Sequence, residues 1–266
     1  DETSHFDGKT ATGNQYHPTV IFTEFDDALQ ISSASMTEAY DDVVFTRTQA
    51  LVNTEEGKVF VVDILDVQSD TAHQYDLPLH FNGQFIDSSV TLTANTQSQS
   101  ALGNDNGYEH LWLQSKGAVS DDLAKVTWLK DDTFYTHSTV TSPDQELLMT
   151  RIGANDPNFN LIASQALINR VKDVSNHQFL SVLEVHGEYN PSKEFVINSH
   201  SQLESLENIS AQGSDANLTL IKISFKNDLE YLLAIKPSAE SHNSETSFSL
   251  DNNNFTLKGN AELIKL

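Results

Sequence analysis

The sequence of 266 residues contains no cysteine, so disulfide bonds and thiolate metal sites are excluded. It also lacks any run of about 18 apolar residues, the length that a membrane-spanning helix needs, so no membrane span is expected. We find no signal-peptide pattern, and the polar start DETSHFDGKT is compatible with a processed or trimmed end. The lack of cysteine does not by itself define the cellular compartment.

Positive charge is scarce, with 15 basic residues against 38 acidic ones and a formal net charge of −23. Such a surface repels polyanions at long range, and no basic stripe is present, so nucleic-acid binding is not expected. A polyanionic substrate would need a locally positive pocket, which directs attention to the arginines, Arg47, Arg151 and Arg170. The acidic balance also suits a marine or high-salt setting, because salt screens self-repulsion.

What the sequence does contain is a series of short segments rich in Val, Ile, Thr, Phe and Tyr, separated by polar turns. Many short strands at close spacing predict an all-β fold, namely a large antiparallel two-sheet β-sandwich. We expect residues 1–266 to form a single domain, with 159–171 extended and 236–247 a polar loop. The strands are predicted at 19–25, 28–35, 42–52, 58–67, 124–130, 133–140, 146–152, 178–185, 218–225, 229–235 and 254–259.

Two of these segments flank the turn NTEEG, residues 53–57, and predict a hairpin whose register can be counted. If Val52 faces Lys58, then Arg47 faces Asp63 with Cβ atoms about 5 Å apart. Both charges fall on a face that is otherwise apolar, where a charge must be paired or solvated. Two interpretations stay open: a structural ion pair, or the edge of a functional site.

The stretch HQYDLPLHFNG, residues 73–83, places several titratable side chains inside a predicted strand. Alternation puts His73 and Tyr75 on one face, about 7 Å apart, and Asp76 and His80 on the other, about 13 Å apart. Such residues can bind a metal, move a proton or bind a sugar. The simpler alternative is a set of half-buried, hydrogen-bonded side chains.

Six segments occur in an order that resembles a known family. They are SASMTEAYDDVVFTRTQAL (34–51), VVDILDV (61–67), HQYDLPLHFNGQF (73–85), GYEHLW (107–112), GANDPNFNL (153–161) and LEVHGEYNPS (183–192). Together they resemble the C-terminal β-sandwich half of oligoalginate lyases, in the heparinase II/III-like group of polysaccharide lyases. The resemblance covers most of residues 14–195.

The resemblance implies part of a two-part enzyme that cleaves uronate-containing glycans, alginate above all, by β-elimination. In that family a helical toroid neutralises the uronate carboxylate and supplies a general acid, and we find no such helical half in this sequence. The partners implied are therefore an acidic oligo- or polysaccharide and a separate helical catalytic domain. A periplasmic or secreted bacterial location is expected on the same grounds.

The family's β-sandwich often holds zinc through histidine and aspartate ligands. In this sequence no histidine stands between Asp42 and Asp63, where the family has one, and no local motif has the spacing of metal ligands. No cofactor is certain and zinc is only possible; the weak candidates for its ligands are Asp63, His73 and His80.

The family's tyrosine base falls near LPLHF, where His80 stands in this sequence, so His80 is the first candidate for proton abstraction. Tyr75 and His73 are the other catalytic candidates, because a histidine or tyrosine within about 3 Å of a proton can move it. The substrate-binding candidates are groups that can hold a carboxylate or a sugar: Arg47, Tyr108, His110, Arg151 and Asn155.

Two expectations concern neighbouring segments. Tyr16 and His17, in the sequence QYHP, join the site if the N-terminal segment folds back over it. His186 is expected to order a loop beside Gly187.

Three functions stay open at this point. The chain is the β-sandwich part of a lyase that is inactive without its helical partner, or a self-sufficient small lyase, or a non-catalytic carbohydrate-binding or support domain. Exposed tyrosine and tryptophan side chains on one sheet would favour the last.

Overall fold

The computed structural model describes residues 1–96, 100–153, 164–212, 217–237, 245–251 and 253–266. The described backbone lies mainly in antiparallel strands, so the predicted all-β class is confirmed. None of the described helices is long and apolar enough to cross a membrane.

The strands are numbered in chain order. The first nine are β1 Thr19–Phe25, β2 Leu29–Met36, β3 Val43–Asn53, β4 Val59–Phe81, β5 Gln84–Ser88, β6 Thr93–Ala94, β7 Leu111–Ala118, β8 Leu123–Lys130 and β9 Thr133–Val140. The others are β10 Glu146–Ile152, β11 Gln165–Asn190, β12 Phe195–Ile197, β13 Leu203–Asn208, β14 Thr219–Phe225, β15 Leu229–Ile235, β16 Glu245–Leu250, β17 Asn253–Lys258 and β18 Ala261–Lys265. Short helical turns lie at His5–Gly8, Thr10–Gly13, Tyr108–His110 and Ser210–Gln212.

The two longest strands, β4 with 23 residues and β11 with 26, pair with each other along most of their lengths. Their register runs from Phe60 opposite Glu184 to Phe81 opposite Gln165. β3 pairs with the first part of β4, β10 with the first part of β11, and β9 with the last part of β11. One ribbon of two strands therefore supports both halves of the large sheet.

A four-stranded sheet, β13-β14-β15-β18, packs against one face of the large sheet. Alternate residues fill the core between them, and Val52, Val62 and Leu233 are fully buried there. Each aliphatic or aromatic side chain buried in this way stabilises the fold by about 1.5–3 kcal/mol. The hairpin of β16 and β17 covers the outer face of the four-stranded sheet through Phe248 and Leu250.

At its other end the large sheet folds over itself. β8 and β9 lie against β4, β10 and β11, with a core that includes Leu147, Leu167 and Val126. The rings of Phe81 and Trp128 stack there, with centroids 4.6 Å apart. Because side chains alternate along a strand, the opposite face of β4 and β10 stays outside this core. That outer face forms the cleft described below.

The predicted hairpin register is wrong by two residues. The strands continue until Asn53 pairs with Val59, so Gln49, not Arg47, stands opposite Asp63. The ion pair itself is present, because Arg47 reaches Asp63 diagonally, with nitrogen–oxygen distances of 2.9 and 2.6 Å.

The prediction that the face carrying Arg47 and Asp63 is mostly buried is also wrong. Ala50 and Val52 point into the core, whereas the Arg47 side chain on the other face is 46% exposed. The apolar residues beside Arg47 include Leu51, which is itself 40% exposed. The pair therefore lies on the outside of the sheet.

The predicted strands are otherwise confirmed, and four of them, 19–25, 133–140, 146–152 and 229–235, have the predicted bounds. The segments 58–67 and 178–185 are parts of the much longer strands β4 and β11. Part of the extended segment 159–171 and part of the loop 236–247 lie outside the described residues.

His186 holds the chain that follows β11, as expected from the sequence. Its Nδ1 lies 2.8 Å from the carbonyl oxygen of Asn198, and its Nε2 lies 2.7 Å from the Thr136 hydroxyl. Gly187 has a φ of +63°, and a Cβ there would lie 2.2 Å from the Asn198 carbonyl oxygen. Only glycine allows this close approach.

We expect Gly187→Ala to lower the free energy of unfolding by at least about 3 kcal/mol, because it combines a strained φ with a backbone clash. Gly57→Ala is the matched control, since Gly57 has a φ of +77° and no atom within 4 Å of its added Cβ. That variant should cost only about 1 kcal/mol. Urea unfolding followed by circular dichroism measures both, and equal losses would contradict the close approach.

His137, in β9, is buried with only 6% of its surface exposed. Burial lowers its pKa to about 4, against a smaller opposing effect of Asp63. Its Nδ1 has no hydrogen-bond partner among the described residues. The neutral imidazole is therefore the form that the folded protein accommodates.

This burial predicts a pH dependence of stability. An unfolded histidine has a pKa of about 6.5, so as the pH falls the unfolded chain takes up the proton first. The stabilisation is complete above pH 6.5 and is lost as the pH falls toward about 4, by about 3 kcal/mol. His137→Leu should remove this part of the dependence in urea unfolding measured between these pH values. If the free energy of unfolding fell in parallel with pH in both proteins, the assignment of this pH dependence to His137 would be contradicted.

Candidate functional site

A cleft with a volume of about 680 Å³ lies on the outer face at the folded end of the large sheet. Asp76, Pro78 and His80 of β4 line it together with Ile168 of β11 and Ile152 of β10. In the strand register, His80 stands opposite Ala166 and Pro78 opposite Ile168, so these residues share one face. The sequence had placed Asp76 and His80 on a common face, as the structure does.

The N-terminal segment folds back and forms one wall of the cleft, to which residues 3–6, 8–10 and 13–14 contribute. The Phe6 amide donates to the carbonyl oxygen of Ala39, 2.8 Å away. The Tyr16 ring stacks on Phe6, with centroids 5.5 Å apart, so Tyr16 supports the wall from behind. His17 is exposed.

A buried ion pair lies in the side of the cleft. Arg170 stands opposite Asp76 and donates to both of its carboxylate oxygens, each at 2.7 Å. The Tyr108 hydroxyl donates to Asp76 Oδ2, also at 2.7 Å. The side chains of Asp76 and Arg170 are 6% and 10% exposed. Water therefore has little access to the pair.

Burial raises the pKa of Tyr108 well above its ordinary value, and the negative charge of Asp76 raises it further as the second cause. The same two causes, in the same order, raise the pKa of Tyr40, which also lines the cleft. Both phenols are therefore neutral around pH 7. A neutral phenol can donate or accept a hydrogen bond, but it is a poor base.

Three histidines line the same cleft. His80 is exposed on β4, where it can reach a substrate. His110 is half-exposed and its Nδ1 lies 3.2 Å from the Gly153 carbonyl oxygen. His5 comes from the N-terminal wall, and burial lowers its pKa. The cleft thus combines imidazoles with the Tyr108 and Tyr40 hydroxyls, a set able to bind sugars and move protons.

The structure brings together three of the site residues predicted from sequence, His80, Tyr108 and His110. His73 and Tyr75 lie further back along β4 and do not line the cleft. His73 contacts Asp42, with Nε2 3.0 Å from the carboxylate, and the Tyr75 hydroxyl donates to the Ser175 carbonyl oxygen.

The remaining predicted residues also lie elsewhere. Arg47 pairs with Asp63 on the outside of the sheet. Arg151 neighbours Ile152, and since Ile152 lines the cleft, alternation directs Arg151 to the opposite face. Asn155 lies outside the described residues.

The weak zinc candidates are not arranged to hold a metal. Asp63 is engaged by Arg47, and His73 and His80 are separated by about 23 Å of extended strand. Within the part of the chain that the structure describes, no group of three or more histidine, aspartate or glutamate side chains could bind a metal ion.

Sequence reasoning missed Arg170, Asp76 and Tyr40 as members of the site. Arg170 was singled out as one of few arginines, but its partner Asp76 is 94 residues away in the chain. Only the register between β4 and β11 brings the two together. An unpaired arginine in one strand and an unpaired aspartate in another were the available signal.

No protein-family model matches the chain. The chain is 39% identical to the exo-oligoalginate lyase of Saccharophagus degradans over 244 residues. The matched region makes up 90% of this chain and 33% of that protein. The chain is 40% identical over 224 residues to the alginate lyase of Stenotrophomonas maltophilia, covering 84% of this chain and 30% of that protein.

The structure also resembles the crystal structure of heparan sulfate lyase HepC from Pedobacter heparinus. The TM-score is 0.50 at 9% identity, over 85% of this chain and 29% of that chain. At this identity the likeness concerns the fold alone.

Fold and relatives together define an all-β chain that matches part of proteins named as lyases. More narrowly, the chain is homologous to oligoalginate and alginate lyases, as the ordered sequence segments had indicated. The chain spans about a third of the length of these relatives.

The buried pair predicts a large difference between two arginines. Arg170→Met leaves the Asp76 carboxylate buried without its cation, and breaking a buried pair costs about 3–5 kcal/mol. Arg47→Met breaks a pair whose arginine is 46% exposed, which should cost less than about 1 kcal/mol. Urea unfolding of both variants measures the difference. Similar small losses would show that the cleft pair is not held out of water.

Proposed function

We propose that this chain is the β-sandwich part of a polysaccharide lyase that cleaves uronate-containing glycans by β-elimination, with alginate as the favoured substrate. The observation that carries the proposal is an exposed histidine, His80, in a cleft that also presents Tyr108 and His110. Homology to proteins named alginate lyase supports the substrate class.

β-Elimination requires a base that removes the C5 proton of the uronate. His80 is the best candidate, because it is exposed in the cleft and histidine is the commonest general base. Tyr108 is disfavoured as a base, since its hydroxyl is already bonded to Asp76 and its pKa is raised by burial. His110 lies where it can donate a hydrogen bond to the sugar or to the glycosidic oxygen.

The reaction also needs the uronate carboxylate to be neutralised as negative charge develops at C5. Arg170 contacts the cleft-lining residue Asp76 and is occupied by it. Lys9, His5 and Asn14 of the N-terminal wall can assist. These groups carry little positive charge for a polyanionic substrate. We therefore propose that a helical catalytic domain completes the carboxylate site and supplies the general acid.

A non-catalytic carbohydrate-binding role is less well supported. Such modules present exposed aromatic platforms. Here Trp128 is buried in the core and Trp112 is partly buried, so neither tryptophan offers a flat exposed face. An acidic extracellular glycan as substrate favours a periplasmic or secreted location in a bacterium, and the net charge of −23 suits a marine one.

The proposal is tested by absorbance at 235 nm, which detects the unsaturated uronate product. The chain alone and a chimera, in which it replaces the matching segment of the Stenotrophomonas maltophilia alginate lyase, are assayed on alginate, polymannuronate, polyguluronate, heparin and hyaluronan, with and without EDTA. The chain alone should be inactive or very weak, and the chimera should act on alginate. A folded chimera that releases no product from any substrate would contradict the proposal.

His80→Ala in the chimera should lower kcat by about 10²–10⁴-fold, the usual contribution of a general base. The matched control is His200→Ala, because His200 is an exposed histidine outside the cleft. That control should keep full activity. If His80→Ala were as active as the control, His80 could not be the base.

A further inference from the structure

Three side chains contact the Asp76 carboxylate. Arg170 Nε bonds to Oδ1, and Arg170 and Tyr108 both bond to Oδ2, each contact being 2.7 Å long. The Gln74 amide approaches Oδ2 as well, at 3.4 Å. Although Asp76 lines the cleft, its side chain is only 6% exposed and its Oδ2 already has three contacts, so it is poorly placed to accept a hydrogen bond from a ligand.

Arg170 lies between two carboxylates but is held by one of them, Asp76. In the sheet it stands opposite Asp76 of β4 and opposite Glu146 of β10. Glu146 is bonded to Lys172 at 2.7 Å, so it leaves the guanidinium to Asp76. The two parallel hydrogen bonds hold the carboxylate in one orientation, as a bidentate arginine does.

The contact with Asp76 determines the direction of the Tyr108 proton. An ionised carboxylate can only accept hydrogen bonds, so Tyr108 must be the donor in their 2.7 Å contact. The phenol oxygen keeps its acceptor capacity, and Tyr108 lines the cleft. The hydroxyl therefore offers an acceptor to a ligand, whereas an unrestrained hydroxyl could turn its proton outward.

The position of Tyr108 relative to His80 is equally defined. Its hydroxyl is anchored at Asp76, and the backbone positions of Asp76 and His80 are about 13 Å apart along β4, with both side chains on the same face of the strand. One C5 hydrogen cannot be within about 3 Å of both groups. A glycan in the cleft would therefore meet His80 and Tyr108 through different sugar residues.

We propose that Asp76, locked by Arg170, is a positioning residue that fixes Tyr108 as a hydrogen-bond acceptor for a hydroxyl of a sugar next to the one that reacts at His80. This assignment rests on the proposed lyase function. It gives Tyr108 a role in binding the neighbouring sugar and leaves the proton transfer to His80. Arg170 also neutralises the Asp76 carboxylate, whose charge would otherwise repel an anionic glycan in the cleft.

The first test is kinetic and uses the chimera with alginate oligosaccharides. Tyr108→Phe should raise KM about tenfold, the value of one good hydrogen bond, and leave kcat within about threefold. His80→Ala should instead lower kcat. A loss of kcat in Tyr108→Phe as large as that in His80→Ala would overturn the proposal, because Tyr108 would then take part in the chemistry.

The second test needs no activity and uses this chain alone, labelled with ¹³C at the tyrosine Cζ. The Tyr108 signal, assigned by its loss in Tyr108→Phe, should stay that of a neutral phenol up to pH 11. In Asp76→Asn, where Arg170 and Tyr40 are the remaining titratable groups that act on Tyr108 and Glu2 lies close by, the Tyr108 phenol should ionise at least one pH unit lower than in the parent chain. Asp63→Asn, which breaks the matched pair with Arg47 away from the cleft, should leave it unchanged.

If Asp76→Asn does not fold, Arg170→Lys replaces it, since lysine keeps the charge but not the two parallel bonds. The pH at which the Tyr108 signal reports ionisation should then change, while the fold is kept. Ionisation of Tyr108 near pH 10 in the parent chain, as in a free tyrosine, would overturn the proposal. If the chimera is inactive, this titration still decides how the Tyr108 proton is held, so the two proposals can fail separately.

Discussion

The pairing of β4 with β11 is the constraint on which the rest of the structure depends. These two strands run side by side through both halves of the large sheet, and other strands attach to their free edges. One end of the paired strands presents Val62 to the four-stranded sheet, and the other end presents Phe81 and Leu167 to the folded-over strands. Burial on those faces fixes the register, because a slip of one residue would turn every apolar side chain outward. The register in turn places Arg170 opposite Asp76.

The cleft follows from the same alternation. At the end where one face of β4 is packed into the core, the other face presents Asp76, Pro78 and His80. The N-terminal segment and the turn that bears Tyr108 close over these residues. A buried charge pair, a neutral phenol and an exposed imidazole then lie in one concave site. The pair keeps the phenol oriented, and the imidazole remains accessible for proton transfer.

Much of the fold could be predicted from the sequence, because strand positions depend on local composition and turns. The strands at 133–140 and 146–152 show this, since they are bounded by turn residues on both sides. The hairpin register could not be counted, because it depends on where the turn begins, and Thr54 begins it instead of Asn53. The length of β4 and β11 was also missed, because their middle parts are largely polar and include consecutive exposed residues, without the alternation of a half-buried strand.

The site was partly predictable for similar reasons. His80 was found through its position in the strand and through the family resemblance, and Tyr108 and His110 through the segment GYEHLW. Arg170 could not be assigned to Asp76 without the tertiary pairing of β4 and β11. Tyr75 and His73 carry suitable chemistry, but they lie in a part of β4 that packs against other side chains. The single-domain organisation of residues 1–266 stays a prediction.

The most direct measurement is an NMR titration of the full chain with a mannuronate tetrasaccharide, following the histidine ring and tyrosine signals. The account predicts that the shifts concentrate at His80, Tyr108 and His110, and that they saturate together with one binding constant. The absence of shifts in the cleft, or shifts confined to another surface such as the exposed strand β12, would contradict the assignment of this cleft to a uronate glycan.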